Sequence, residues 1–189
     1  MEQTLLTARI AFVSALAMAL WPSLAQADIK SPGAHYPYGT SVDLHLVVQW
    51  NEEVFDEGIG PGMRIHFPVI DNGPIPSINN NLAIGTGIDL TFSDGDCGPF
   101  DCSAWQFWIP LTVQWNFFFT EAFSVFPELG LALQYVNIDY PVAFLDGDDD
   151  DIDLEFVFWL GGRYMFTPAV GMTLRIGVPS LLLGATFLF

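Results

Sequence analysis

The sequence predicts an all-β protein: an eight-stranded antiparallel transmembrane β-barrel preceded by a cleavable signal peptide. Apolar residues make up 51% of the 189 positions and charged residues only 14%. After residue 27 no stretch of about 18 apolar residues runs without interruption, so a membrane-spanning helix is not expected. Apolar residues instead alternate with other residues along most of the chain, which is the period of a β-strand. A soluble, lipocalin-like periplasmic barrel is the alternative class for so apolar an exported chain.

The first 27 residues have the pattern of a secretory signal peptide. Arg9 precedes an apolar stretch over residues 10–24, and a small-residue site ends at Ala27. We therefore expect cleavage after Ala27, a periplasmic lead-in over residues 28–40 and one barrel domain over residues 41–189.

The first predicted strand shows the alternation most clearly. Its two faces carry Val42, Leu44, Leu46, Val48 and Trp50 on one side and Asp43, His45, Val47 and Gln49 on the other. The same period predicts seven more strands, over residues 63–70, 82–92, 105–116, 123–138, 154–166, 171–178 and 181–189. These lengths bracket the roughly 9 to 11 residues that a tilted strand needs to cross a bilayer.

Charged residues within the strands fall on the less apolar face. They are Asp43, Arg64, Asp89, Glu128, Glu155, Arg163 and Arg175. A barrel of eight strands has an interior only wide enough for side chains. Because an unpaired buried charge is costly, we expect the three arginines and four carboxylates to pair with one another in the lumen.

Aromatic residues concentrate near the strand ends, as in the girdles of membrane barrels. Trp50, Phe92, Trp105 and Phe156 lie at one end, and Trp115, Phe123, Phe166, Phe187 and Phe189 at the other. The last strand, LLLGATFLF, keeps its alternation to the final residue. It has to pair with the first strand if the sheet is to have no free edge.

This combination of signal peptide, eight amphipathic strands and final aromatic strand resembles the bacterial outer-membrane β-barrel family, in particular the small eight-stranded barrels of the OmpA/OmpX/OmpW type. The resemblance covers roughly residues 40–189. It implies an integral protein of the bacterial outer membrane, with Phe187 and Phe189 as the assembly signal read by the barrel-insertion machinery. Likeness to OmpW also implies an alternative function, a small channel or transporter for hydrophobic or small polar solutes.

The predicted outer connections are strongly acidic. Residues 51–62, 93–104 and 139–153, together with Glu155, hold 15 of the 22 acidic residues. In the run LDGDDDDIDLE, the oxygen ligands that could bind Ca²⁺ or Mg²⁺ are Asp146, Asp148, Asp149, Asp150 and Asp151. The EF-hand pattern fails, because its sixth position is an aspartate instead of glycine. Two interpretations stay open, a weak divalent-cation site and a solvated acidic loop.

Cys97 and Cys102 are the only cysteines of the chain, and they lie five residues apart in CGPFDC. An exported protein folds in an oxidising compartment, so we predict a disulfide that closes this small loop. A zinc pair is the poorer alternative, because two thiols without a nearby histidine leave two of zinc's four positions unfilled.

Ser41, Asp43 and His45 share one face of the first strand but do not predict catalysis. Residues two apart in a strand are separated by about 6.5 to 7 Å, so the three lie in a row and do not converge on a nucleophile. No GxSxG, HExxH or glycine-rich phosphate loop occurs. An outer-membrane enzyme that modifies lipids is therefore the weaker alternative, and a net charge of −17 excludes nucleic acid as a partner.

We therefore expect a monomeric envelope protein without a resident cofactor, whose role is structural or one of surface interaction through acidic extracellular loops. Its expected partners are outer-membrane lipid, lipopolysaccharide and, during biogenesis, the barrel-assembly machinery. Two features fit this barrel less well. Pro110 stands in mid-strand, where we expect a register slip or a bulge, and the inward connection over residues 71–80 is long for a periplasmic turn.

Overall fold

The computed structural model describes residues 29–50, 57–97, 100–139 and 151–189. It contains eight β-strands: β1 (Ser41–Gln49), β2 (Gly58–Ile70), β3 (Asn80–Cys97), β4 (Phe100–Phe118), β5 (Phe123–Asp139), β6 (Asp151–Met165), β7 (Val170–Val178) and β8 (Ser180–Leu188). Each strand pairs antiparallel with the next, and β8 pairs with β1, so the sheet closes. The predicted barrel is confirmed. The predicted signal peptide and its cleavage point lie outside the described residues.

The wall of the barrel turns its apolar side chains outward. In β1, Asp43, His45 and Val47 are buried, whereas Leu44 and Leu46 are 51% and 52% exposed. Every strand contributes such an outward apolar residue: Leu44, Phe67, Ile84, Ile109, Leu131, Leu160, Leu174 and Leu183. Continuous apolar exposure around a closed sheet is the surface that lipid chains solvate and water does not. Within the described residues, no helix has the length and apolarity required to span a bilayer.

Several strands extend beyond the boundaries predicted from hydrophobicity. β3 continues to Cys97 and β4 begins at Phe100, because backbone pairing continues after the apolar alternation has ended. β2 begins at Gly58, five residues early, since Gly58, Gly60 and Gly62 supply no side chains to alternate. β1, β7 and β8 have nine residues each, whereas β3, β4 and β5 have 17 to 19. The wall is therefore much taller on one side of the barrel.

The prediction of a register slip or a bulge at Pro110 is wrong. Pro110 pairs with Ala132 of β5 in the same register as the residues on either side of it. Pairing of β4 with β3 also keeps one register across this position, and the Pro110 carbonyl accepts a hydrogen bond from Thr86 Oγ1 at 2.9 Å. The register shifts instead between β2 and β3, at Pro68 to Ile70.

The long connection over residues 71–79 folds against the N-terminal segment. The Asn80 side-chain amide donates hydrogen bonds to the carbonyls of Ile75 and Ile78, both at 2.8 Å, which shapes the turn. The Asn79 backbone N–H donates to the carbonyl of Ile29 at 2.7 Å. The length of this connection is thus explained, because it holds the segment that precedes β1.

Residues 29–40, called here the N-terminal segment, cover the end of the barrel where β1 begins and β8 ends. The His35 ring stacks on Phe118 with centroids 4.1 Å apart, and Tyr38 packs edgewise on the same ring. At the seam, the Phe189 N–H donates to the Thr40 carbonyl at 3.0 Å, so β8 ends at Leu188 but the hydrogen bonding continues for one more residue. We call this covered end the inner end.

Two neighbouring glycines of β6 test the inside and outside assignment. A Cβ at Gly161 would lie 2.3 Å from ring carbons of the buried Phe126, whereas a Cβ at Gly162 would have its nearest neighbour at 4.0 Å. Gly161→Ala should therefore lower the free energy of unfolding by about 1 to 3 kcal/mol through overpacking. Gly162→Ala should leave it unchanged. Urea unfolding followed by gel migration measures both, and equal effects of the two variants would contradict this assignment.

Candidate functional site

The lumen contains two groups of buried ion pairs, and the first lies around Asp89. The Arg64 guanidinium donates two hydrogen bonds to this carboxylate, Nη1 to Oδ1 at 2.8 Å and Nη2 to Oδ2 at 2.6 Å. His45 Nε2 lies 2.8 Å from the same Oδ1. The guanidinium also lies over the ring of Trp159, 5.2 Å from its centroid. The bidentate geometry and the ring fix Arg64 in place.

The second group joins β1, β5 and β7 through Arg175. Its Nε donates to Glu128 Oε2 at 2.8 Å, and its Nη2 donates to Asp43 Oδ2 at 2.6 Å. His66 Nε2 lies 3.2 Å from Glu128 Oε1. The remaining capacity of Glu128 is taken by Thr112 Oγ1 at 2.8 Å and by the Gln114 side-chain amide at 3.1 Å. Both carboxylate oxygens of Glu128 therefore have polar partners from the protein.

Arg163 is held more loosely than the other two arginines. Its Nη2 lies 3.7 Å from Asp43 Oδ2, a distance that allows an ion pair but is too long for a hydrogen bond. Its Nε donates to Thr173 Oγ1 at 3.1 Å. The guanidinium packs near two aromatic faces, those of Tyr38 at 5.1 Å and Phe126 at 5.4 Å.

Six of the seven charged residues assigned to the lumen lie there, and Glu155 does not. Glu155 is exposed. It pairs with Ala132 of β5, but pairing of β6 with β7 starts only at Phe158 with Val178, so the wall is open on one side of Glu155. Alternation predicts which face of the sheet a side chain lies on. It does not predict whether that residue lies in the part of the barrel that is closed. Without Glu155, three arginines face three carboxylates, and the formal charge of this set is zero with neutral histidines.

A layer of amides closes the lumen at the end away from the N-terminal segment. Gln106 Oε1 accepts hydrogen bonds from the side chains of Gln49, Trp108 and Gln134 at 2.5, 3.3 and 3.1 Å. Thr91 Oγ1 donates to Gln49 Oε1 at 3.0 Å. Below this layer a cavity of about 10 Å³ lies between Trp108 and Trp159. This is roughly the space that one water molecule needs, so the cavity does not form a conducting path.

Several residues of the lumen were not singled out from the sequence. His66, Thr112 and Gln114 complete the shell of Glu128, and Trp159 and Phe126 supply the rings beside the arginines. Each lies on the inward face of its strand, so alternation was a signal that could have found them. Glu128 lies 14 or more residues along the chain from Gln114, Thr112 and His66, and pairing at that distance leaves no local pattern.

The structure separates the residues of the catalytic alternative. His45 contacts Asp89, whereas Asp43 contacts Arg175, and Ser41 pairs across the sheet with His66. The row of three on one strand therefore does not form a relay among its own members.

The predicted cation site and the disulfide fall mostly outside the described residues. Asp146, Asp148, Asp149 and Asp150 lie in the gap at residues 140–150, and only the backbone of Asp151 is described, at the start of β6. In the parts of the chain that are described, no cluster of three metal-ligating side chains occurs. Cys102 is buried and is not a free thiol. The side chain of Cys97 is not described, so its pairing with Cys102 stays a prediction.

Comparison with known proteins adds a structural likeness. No family model and no curated sequence matches the chain. The fold is similar to Neisserial surface protein A (TM-score 0.54, 13% identity, 79% of this chain and 96% of that one) and to the outer membrane protein OprG from Pseudomonas aeruginosa (0.53, 11%, 84% and 99%). It is also similar to Ail, the attachment invasion locus protein of Yersinia pestis (0.51, 11%, 79% and 96%).

These likenesses and the apolar outer wall define the class of the protein. It is a small, closed, eight-stranded antiparallel barrel of the kind that is integral to the bacterial outer membrane. Among solved structures, its fold is that of the small barrels represented by Neisserial surface protein A, OprG and Ail. Identities of 11% to 13% show the fold alone.

Two glutamates on the same face of the sheet test the role of the buried pairs. Glu128→Gln leaves Arg175 and Arg163 sharing Asp43 as their carboxylate partner, with one uncompensated positive charge in the lumen. We expect a loss of about 3 to 5 kcal/mol in the free energy of unfolding, the range for breaking a buried pair. Glu155→Gln changes the same group at an exposed site and should have no measurable effect. A small loss at Glu128, similar to that at Glu155, would show that the lumen charges contribute little.

Proposed function

We propose that the protein is an integral outer-membrane barrel that acts through its outer loops and not through its lumen. The observation that carries this proposal is the filled interior, with buried ion pairs at its centre and an amide layer above them. The two cavities beside these groups support the proposal, because each has room for only about one water molecule. The barrel therefore serves as a membrane anchor and scaffold. The loops at its outer end make the contacts with other molecules.

The outer end is anionic and carries no compensating base. Residues 51–62, 93–104 and 139–153, with Glu155, hold 15 acidic residues and no lysine or arginine. The basic residues of the chain are Arg9, Lys30 and the three lumen arginines. The partner that fits such a surface is cationic, and the outer leaflet offers divalent cations that bridge carboxylates to lipopolysaccharide phosphates. We propose this cation-mediated contact with lipopolysaccharide as the role of the loops.

The solved relatives support a surface role without specifying its partner. One is described as a surface protein and another as an attachment invasion protein, solved also with the heparin analogue sucrose octasulfate. A sulfated polyanion would be repelled by the outer segments of this chain, because all of their charged residues are acidic. Any attachment by this protein therefore uses a different chemistry, with cations as partners or bridges.

Three features of biogenesis belong to the same proposal. Residues 1–27 direct export and are removed after Ala27, leaving residues 28–40 on the periplasmic side. Cys97 and Cys102 close the tip of the β3–β4 hairpin as a disulfide. Phe187 and Phe189 at the end of β8 are the signal for the assembly machinery, and the finished barrel is a monomer without enzymatic activity.

Conductance separates the scaffold from the channel alternative. Purified folded protein inserted in a planar bilayer should give no discrete openings, because the lumen is filled. Replacing both Trp108 and Trp159 by alanine removes the largest side chains beside the outer cavity and should be the variant that leaks. Regular single-channel openings of the unmodified protein would favour the channel.

Calcium tests the loop site. Millimolar calcium should raise the thermal unfolding midpoint of the folded protein, and the rise should disappear when Asp148, Asp149, Asp150 and Asp151 become asparagine. The matched control changes Glu52, Glu53, Asp56 and Glu57 of the first outer segment to their amides. If both sets of changes reduce the shift equally, the loops bind calcium only through their summed charge. Absence of any shift would remove the site.

A further inference from the structure

Buried polar groups without hydrogen-bond partners gather toward the inner end of the lumen. Among the described residues, such atoms occur at the inner end on His35, Tyr38, Ser41, Asn79, Asn81, Asn116 and Arg163, and at the centre of the lumen on Asp43, His45, Arg64, His66 and Gln114. The outer amide layer has none, since Gln49, Thr91, Gln106 and Trp108 are all bonded to one another. Buried polar atoms in proteins nearly always have a partner, so an unpaired group marks a place where a small ligand or water binds.

A second small cavity lies at this inner end, beneath the N-terminal segment. It measures about 10 Å³, and its polar lining comes from Tyr36, Tyr38, Glu121, Ser124 and Arg163. Tyr36 and Tyr38 belong to the N-terminal segment, so the segment forms one wall of the cavity. Arg163 and Ser124 project from the barrel wall and are 1% and 3% exposed. The volume leaves room for a single small group.

Arg163 supplies this cavity with positive charge that the lumen compensates poorly. Neither Nη1 nor Nη2 makes a hydrogen bond within the described chain, although both are buried. The nearest carboxylate oxygen, Asp43 Oδ2, lies 3.7 Å away and already accepts a 2.6 Å hydrogen bond from Arg175. Arg64, by contrast, is held bidentately by Asp89. Tyr38 and Ser124, whose hydroxyls can also donate, line the same cavity as Arg163.

We propose that this cavity is a binding site for one small monovalent anion, a halide ion, held by the Arg163 guanidinium and enclosed by Tyr38 of the N-terminal segment. The lining and the size favour such an ion: the Arg163 guanidinium and the hydroxyl-bearing Tyr38 and Ser124 line one cavity, and its volume is too small for a polyatomic oxyanion. Glu121 also lines the cavity but is exposed to solvent, where its repulsion is screened. The bound anion would fasten the N-terminal segment to the barrel wall. This inference does not depend on the proposed role of the loops.

Bromide is the probe for this site. The folded barrel, purified without its signal peptide, is titrated with sodium bromide against sodium gluconate at constant ionic strength, and its thermal unfolding midpoint is recorded. A saturable rise is expected for the unmodified protein. Tyr38→Phe, which keeps the ring beside Arg163 and removes only the hydroxyl, should weaken bromide binding by about 5- to 10-fold, the effect of one lost hydrogen bond. Lys30→Gln, which removes the other basic residue near this end, should leave it unchanged.

Arg163→Gln should abolish the saturable response. Anomalous diffraction from crystals grown with bromide should place a single peak within hydrogen-bond distance of the Arg163 guanidinium. A rise that does not saturate, an unchanged response in Tyr38→Phe, or a map without a peak at Arg163 would overturn the proposal and show that the cavity holds water only. If Arg163→Gln fails to fold, the comparison of Tyr38→Phe with Lys30→Gln and the anomalous map still decide the question.

Discussion

The pairing of three buried guanidinium groups with three buried carboxylates is the interaction on which the rest of this structure depends. An eight-stranded barrel has no room in its interior for bulk water, so a charge placed there is stabilised only by other protein groups. Asp43, Arg64, Asp89, Glu128, Arg163 and Arg175 come from six of the strands. Because a slip of one residue would turn any of these charges toward lipid, the network also fixes the register of the sheet.

The same pairing explains how functions are divided over the molecule. The outer wall is apolar because it contacts lipid chains, and the centre is filled because its charges require protein partners. Neither surface is free to meet a soluble partner. In the sequence, acidic residues are concentrated where neither constraint applies, around the connections from β1 to β2, from β3 to β4 and from β5 to β6. The other end is covered by the N-terminal segment, whose rings pack on Phe118 and on Arg163.

Alternation alone placed the strands, the closed sheet and the facing of nearly every charged residue, because the bilayer imposes the period on each strand separately. It failed where the outcome depends on the neighbouring strands, which the pattern of a single strand does not describe. Glu155 has the inward facing that alternation predicts, but it lies beyond the point where β7 begins to pair with β6. Pro110 was expected to disturb the register, yet β4 keeps its register with both neighbours. The identity of each ion pair was also beyond prediction, since Arg175 and Asp43 are 132 residues apart.

The coupling between Arg64 and Asp89 tests the central claim most directly. In a double-mutant cycle with Arg64→Met and Asp89→Leu, the free energy of unfolding is measured for both single variants and for the double variant in lipid vesicles. If charge pairing governs the lumen, each single variant loses about 3 to 5 kcal/mol, because it leaves a buried charge without its partner. The double variant should then lose much less than the sum. Additive losses, with the double variant as unstable as both single variants together, would contradict the account.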